Sequence, residues 1–251
     1  MKFFLPKLKA AAIHFLVSAV VVGLVVAGSL YFWYPGLQAY AAGLVTLLSI
    51  LVIVDLVIGP ALTLVVFKPG KKSLKFDMSV IAGVQIAALV FGISSIYQAR
   101  PVYFAFVVDR FETVAAADLE SSSLQAAAPE YQQLFGDGPR WIGVELPTDR
   151  EELEEITLAE AVNGTGPALI PRYYRPLPAV LKAGLKRAKP LEELKALNPE
   201  NLVEEKIAPH KALEDEMVYF PLAGRDRDLT VFVNKQSGDI IDVVDLRPWK
   251  T

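Results

Sequence analysis

Cysteine is absent from the 251-residue chain, and histidine occurs only twice. The lack of cysteine excludes disulfide frameworks, thiol catalysis, lipoprotein-type acylation and zinc sites built from cysteine. Histidine is too scarce for a His-rich metal site, and a Ser-His-Asp triad in the second half of the chain would depend on His210 alone. That residue lies in an Ala-Pro-His-Lys segment typical of a surface loop.

Signatures of phosphate and nucleic-acid binding are also missing. Residues 163–166, Asn-Gly-Thr-Gly, have neither the spacing nor the lysine of a P-loop, and they fit a turn. Residues 100–251 carry 18 basic and 26 acidic side chains, a net charge of −8, which offers no basic groove. We therefore expect no nucleic-acid partner, no metal, no cofactor and no enzymatic activity.

The chain does contain long apolar blocks. They run from about residue 10 to 33, 40 to 67 and 78 to 97. Each is long enough, at about 1.5 Å per residue, to cross a hydrocarbon core of roughly 30 Å. Backbone polar groups in lipid must be satisfied within the segment, which favours helices despite the many valines and isoleucines. The sequence thus predicts a three-helix transmembrane region over residues 1–99 and a soluble domain over residues 100–251.

Lysine side chains predict the orientation of these spans. Three precede the first span and four lie between the second and third, whereas the link at residues 34–39 has no charge. The lysines are Lys2, Lys7, Lys9, Lys68, Lys71, Lys72 and Lys75. Because lysine marks the cytoplasmic side, the N-terminus is predicted inside and everything after Tyr97 outside. Aromatic residues 31–34 and Tyr40 would then lie at the outer interface. A cleaved signal peptide is the alternative for the first block, but the apolar run exceeds the roughly 7 to 15 residues of a signal core.

Asp55 lies midway along the second span, four residues before Gly59-Pro60. An ionisable group at this depth is costly and is a functional-site hypothesis by default. The Gly-Pro pair predicts a kink that frees a backbone carbonyl. Three interpretations remain open: a carboxyl bonded within its own bundle, contact with another membrane protein, or ion or proton transfer. Asp55, Gly59 and Pro60 are therefore candidate partner-binding residues.

The soluble half begins without a flexible linker. Residues 102–114 are rich in aromatic and β-branched side chains and predict a strand, and a helix is predicted from a capping box at Thr148 to about Val162. Residues 217–222, 229–233 and 239–246 predict three further strands. The expected fold is α+β, with an antiparallel sheet and helices against one face.

Two charged clusters remain as candidate sites. The first is Asp109 with Arg110, and the second is the run Arg225, Asp226, Arg227 and Asp228. Carboxylates paired across a sheet could perform acid-base chemistry, but interleaved arginines predict ion pairs that keep them ionised. Structural ion pairs, a partner-binding surface and catalysis are the three alternatives for both clusters.

The segment that follows the third block, Arg100 to Phe111 with the sequence RPVYFAFVVDRF, resembles the type IV pilin accessory proteins, the TfpX/TfpZ group. The C-terminal segments resemble that group as well: Tyr219-Phe-Pro-Leu222, Asp228 to Val233, Ser237-Gly238 and Asp245-Leu-Arg-Pro-Trp249. The resemblance implies a non-enzymatic protein of the bacterial inner membrane, with a periplasmic domain, that assists a partner pilin in pilus assembly. The alternatives are a membrane-anchored extracytoplasmic sensor or ligand-binding protein, and a membrane enzyme with a carboxylate site. A sensor would need a cytoplasmic output element, and the predicted inside segments are short.

Overall fold

The computed structural model describes residues 4–134 and 138–250, without the side chains of Gln38 and Tyr40. It divides into two compact units. The first unit contains Met1–Phe32 and Leu44–Gln98, and the second contains Trp33–Gly43 and Ala99–Thr251. Lys2 and the side chain of Tyr40, which the sequence analysis placed at the membrane interfaces, lie outside the described residues.

Long apolar helices form the first unit. Among the described residues, three are long and apolar enough to cross a membrane: Phe4–Trp33, Leu44–Val66 and Leu74–Gln98. The first consists of α1 (Phe4–Gly28) and a π-helical turn (Ser29–Trp33). The second consists of α3 (Leu44–Val52), a π-helical segment (Ile53–Ile58) and α4 (Gly59–Val66), and the third is α5 (Leu74–Gln98). The predicted three-helix region is confirmed, with boundaries shifted by several residues.

Polar and small residues hold these helices together. His14 Nδ1 on α1 and Thr63 Oγ1 on α4 share a hydrogen bond of 2.6 Å, and Thr63 is fully buried. Gly92 on α5 faces Leu51, since a Cβ at Gly92 would lie 2.5 Å from Leu51 Cδ1. Close approach at small residues is the usual mode of helix packing in lipid, where burial of apolar surface supplies no driving force.

A mixed sheet forms the second unit. Within the described residues it has seven strands in the order β4-β3-β1-β2-β5-β6-β7. The strands are β1 (Pro101–Val107), β2 (Arg110–Ala115), β3 (Arg140–Val144), β4 (Tyr174–Pro176), β5 (Met217–Ala223), β6 (Leu229–Asn234) and β7 (Ile240–Val244). The helices of this unit are α2 (Gln38–Ala41), α6 (Ser121–Gln125), α7 (Arg150–Asn163), α8 (Leu177–Gly184), α9 (Glu192–Leu197) and α10 (Glu200–Ile207). The pairings are antiparallel except for β1 with β3 and β2 with β5, so the predicted α+β fold is confirmed.

The predicted strand at residues 102–114 is instead a hairpin of β1 and β2. The chain reverses at Val108, whose φ of 59° is left-handed. A β-branched residue strongly disfavours this conformation, so the sequence carries no ordinary turn signal there. The hairpin places β1 at the centre of the sheet, between β2 and β3.

Helices cover both faces of the sheet, not one as predicted. All seven residues of β1 are buried, and alternate side chains enter different cores. Tyr103 packs in the same cluster as Ile156 of α7, whereas Phe104 packs in the same cluster as Leu181 of α8. A strand buried on both faces lacks the alternation that would show which side is covered.

Candidate functional site

The main candidate site lies in the first unit, around Asp55 in the π-helical segment. The N–H of Gly59 donates to Val54 O, five residues back, as a π-helix requires. In the same register the carbonyl of Asp55 would need the N–H of residue 60, which is proline and has none. The segment therefore leaves one backbone acceptor in the middle of an apolar helix without its usual donor.

Gln85 on α5 supplies the missing donor. Its Nε2 donates to the carbonyl oxygen of Asp55 over 3.5 Å. Gly59 makes room for this contact, because a Cβ there would lie only 1.8 Å from Gln85 Nε2. Gly59, Pro60 and Gln85 thus act together: proline withholds a donor, glutamine replaces it, and glycine permits the approach. Gly59 and Pro60 were predicted from the sequence, and Gln85 was not.

The carboxyl group of Asp55 has a different environment from its backbone. The residue is 5 % exposed, and its Oδ2 atom is buried without a hydrogen-bond partner among the described residues. It lines a cavity of about 190 Å³ between α1, the π-helical segment and α5, together with His14, Ser18 and Gln85. It also lines a second cavity of about 160 Å³ between the second and third long helices. Asp55, Gly59 and Pro60 are all buried, and Gln85 contacts both the Asp55 carbonyl and the position of Gly59.

Asp109 and Arg110 lie at the turn of the β1–β2 hairpin, in the second unit. Arg110 forms ion pairs with Glu112 at 2.8 Å and with Glu160 of α7 at 3.6 Å, while its distance to Asp109 is 4.0 Å. Burial raises the pKa of Glu112, and the neighbouring Arg110 lowers it in part. Through its ion pair with Glu160, Arg110 links the hairpin turn to α7.

Residues 225–228 form the turn between β5 and β6. Arg225 pairs with Asp118 at 3.1 Å, and Arg227 pairs with Asp245 at 2.6 Å. Asp228 accepts hydrogen bonds from the N–H of Gly224 and from Trp249 Nε1. These contacts are internal, as the structural interpretation requires, and a partner-binding role for either charged cluster stays a prediction.

The same turn holds the link between the first two long helices. The N–H groups of Arg225 and Asp226 donate to the carbonyl of Ala41 over 2.6 and 3.2 Å. Ala41 is fully buried in the core cluster that contains Phe111, and Tyr34 is also fully buried. Burial raises the pKa of Tyr34, while the charges of Arg225 and Arg100 lower it in part. Trp33–Gly43, which the sequence placed in the membrane region, is thus an integral part of the second unit.

Other titratable groups offer no assembled metal site. Among residues 4–134 and 138–250, no group of three or more histidine, aspartate or glutamate side chains is arranged to hold a metal ion. His210, which was predicted to be a surface loop residue, is partly buried and hydrogen-bonded: its Nε2 lies 2.8 Å from Asp242 Oδ2 on β7.

Taken together, the three long apolar helices indicate a membrane-associated protein, and its second unit is built from two separate stretches of chain. Comparison with characterised proteins assigns its family. The chain is 32 % identical over 240 residues to a fimbrial assembly protein, serogroup I, of Dichelobacter nodosus, covering 92 % of both chains. It is 31 % identical over 239 residues to the serogroup E1 protein of the same organism, again covering 92 % of both.

A third protein of Dichelobacter nodosus, the fimbrial assembly protein of serogroups C1 and C2, is 34 % identical over 127 residues, which cover 49 % of this chain and 96 % of that protein. No protein-family profile and no solved structure matches the chain. The chain belongs to the family of fimbrial assembly proteins. This finding confirms the resemblance to type IV pilin accessory proteins noted from the sequence.

Proposed function

We propose that this protein is a non-enzymatic, chaperone-like accessory protein of the bacterial inner membrane that assists or modulates the assembly of type IV pilin into pili. The observation that carries the proposal is the similarity over 92 % of the chain to proteins named for fimbrial assembly, because it includes both units. The apolar helices add a second support. A protein with three helices long and apolar enough to cross a membrane can contact a membrane-held pilus subunit within the bilayer.

We propose further that the N-terminus is cytoplasmic and that the second unit is periplasmic. The lysines near the three long helices lie before the first helix and between the second and third. The second unit supports one part of this topology, because Trp33–Gly43 and Ala99–Thr251 must be on the same side of the membrane to share a core. Two helices separate these stretches, and an even number of crossings returns the chain to the same side.

The absence of cysteine allows a clean test of this orientation. Ser73 and Ser237 are both exposed, the first in the lysine-rich loop and the second between β6 and β7. We expect a membrane-impermeant maleimide to label Ser237→Cys in spheroplasts and to label Ser73→Cys only after lysis. Labelling of Ser73→Cys in intact spheroplasts would contradict the orientation.

Deletion of the gene, with complementation from a plasmid, tests the function itself. We expect loss of surface pili and of twitching motility, with pilin still present in the membrane, and restoration of both by the wild-type gene. Co-purification of pilin with the tagged protein tests direct contact. Unchanged pili in the deletion strain would refute the proposal. The alternative, a sensor or ligand-binding protein, would then be tested by a search for a ligand that binds the second unit.

A further inference from the structure

We propose that the Asp55 cavity is the docking site for a membrane-spanning helix that presents a hydrogen-bond donor at mid-bilayer depth. The inference rests on the proposed function in one respect, since it takes this helix to be that of the pilin. The Oδ2 atom of Asp55 is buried in the first unit and has no hydrogen-bond partner among the described residues. A carboxyl group retains acceptor lone pairs in both protonation states, so a donor satisfies it in either.

The depth of Asp55 decides the class of occupant. It is the twelfth of the 23 residues in Leu44–Val66. At about 1.5 Å per residue, it lies roughly 16 Å from either end of this helix. A lipid headgroup or a soluble ligand would have to cross half of the hydrocarbon core to reach it, at high cost. A helix that already spans the membrane carries its polar group at that depth without this cost.

The rim of the cavity is apolar, as a docked helix requires. Val17 on α1 is 58 % exposed and Ile86 on α5 is 62 % exposed, and both line the cavity. Ser18 and Ala82 also line it, and such small side chains allow close approach of a helix backbone. An apolar rim around a single unsatisfied acceptor fits an apolar helix with one donor better than it fits a polar small molecule.

Two other polar side chains that line the cavity have hydrogen-bond partners within the first unit. His14 is bonded to Thr63, and Gln85 is bonded to the carbonyl of Asp55. The π-helical segment needs Gly59 and Pro60, which are costly residues inside a helix, to maintain this arrangement. Among the described residues that line the cavity, Asp55 Oδ2 is the one buried side-chain atom without a hydrogen-bond partner.

Site-specific photocrosslinking in the full-length protein tests the docking surface. A photoreactive amino acid at Ile86 lines the cavity, and the same group at Val84 provides a matched control. Both residues are on α5 and 62 % exposed, but two positions on a helix differ by about 200°, so Val84 faces away. We expect a crosslink to pilin from Ile86 and none from Val84. Equal yields from both positions, or crosslinks from Ile86 only to lipid or to a second copy of this chain, would overturn the proposal.

Asp55→Asn and Asp55→Leu test the role of the carboxyl, with Asp77→Asn as a control at the end of α5. Polar contacts between helices in membranes are worth about 1–2 kcal/mol in model peptides, which corresponds to an approximately 5- to 30-fold lower crosslink yield for Asp55→Leu. We expect thermal stability in detergent to be unchanged or higher for Asp55→Leu, because the variant removes an unsatisfied buried group. Reduced stability with an unchanged crosslink would assign Asp55 to the bundle itself and refute docking.

The two proposals fail in different ways. If deletion of the gene leaves pili intact, the proposed function fails whatever Asp55 does. If deletion abolishes pili but both Asp55 variants crosslink and support pili like the wild type, the docking site fails and the function stands.

Discussion

Tyr34→Ala is expected to unfold the second unit more easily, although Tyr34 lies in the link between the first two long helices. The side chain is fully buried in the structure. Replacing a fully buried aromatic side chain by alanine costs about 3–5 kcal/mol, through lost apolar burial and the cavity that remains. With a urea dependence of about 2 kcal/mol per molar for a unit of this size, the unfolding midpoint should fall by about 1.5–2.5 M.

Tryptophan fluorescence provides a selective assay for this change. The three tryptophans of the chain, Trp33, Trp141 and Trp249, all belong to the second unit. Trp141 and Trp249 lie outside the long apolar helices, so urea titration in detergent reports on the second unit through them while those helices stay in the micelle. Tyr31→Ala is the matched control, because Tyr31 is 79 % exposed and its loss should change the midpoint little. Equal midpoints for Tyr34→Ala and Tyr31→Ala would refute the conclusion that the link is part of the core.

Three further changes test other contacts by unfolding measurements in detergent. Gly59→Ala should lower thermal stability, because its Cβ would displace Gln85 from the Asp55 carbonyl. Gly83→Ala is the control and should have little effect, because there is open space around a Cβ at Gly83. Equal effects of the two substitutions would refute the close packing of Gln85 on Gly59. The pKa of Glu112 is raised in the folded state, so its stabilising contribution is present below its unfolded pKa of about 4.5 and is lost as pH rises through the folded value. Glu112→Gln should therefore flatten the decline in stability above pH 4.5, and an unchanged pH profile would contradict this. Asp228→Ala should lower the free energy of unfolding by about 1.5–3 kcal/mol, because it removes the charged acceptor of two hydrogen bonds. Asp109→Ala is the control: its carboxyl is exposed and accepts no such hydrogen bonds from the described residues, so the loss should be less than about 0.5 kcal/mol. Similar losses for the two variants would refute the role given to Asp228.

The long helices were predictable because the membrane criterion is local. Length and apolar content alone identify them, and Asp55, Gly59 and Pro60 are exceptional within such a block. Gln85 was missed because its contact joins two helices 30 residues apart, and no periodicity along one helix reveals such a pair. The unsatisfied carboxyl of Asp55 could likewise be found only after its neighbours were placed.

The second unit was harder to predict for a related reason. Aromatic residues near the end of an apolar block are typical of a membrane interface, yet Tyr34 is a buried residue of the second unit. Local composition is the same in both settings, and contacts between residues far apart in the chain, such as Ala41 with Arg225, distinguish them. The hairpin at Val108 was missed because a β-branched residue occupies a left-handed turn position.

Because the second unit consists of two stretches of chain separated by two long helices, its folding depends on how those helices insert into the membrane. Ribosomes make Trp33–Gly43 early, but the β5–β6 turn that binds Ala41 is among the last parts of the chain to emerge. Under the proposed topology, the two long helices between them cross the membrane in opposite directions. If only one of them inserts, the two stretches end on opposite sides, and Ala41 never meets the N–H groups of Arg225 and Asp226. Under the proposed topology, a folded second unit therefore requires that the second and third long helices return the chain to the side of the membrane on which Trp33–Gly43 lies.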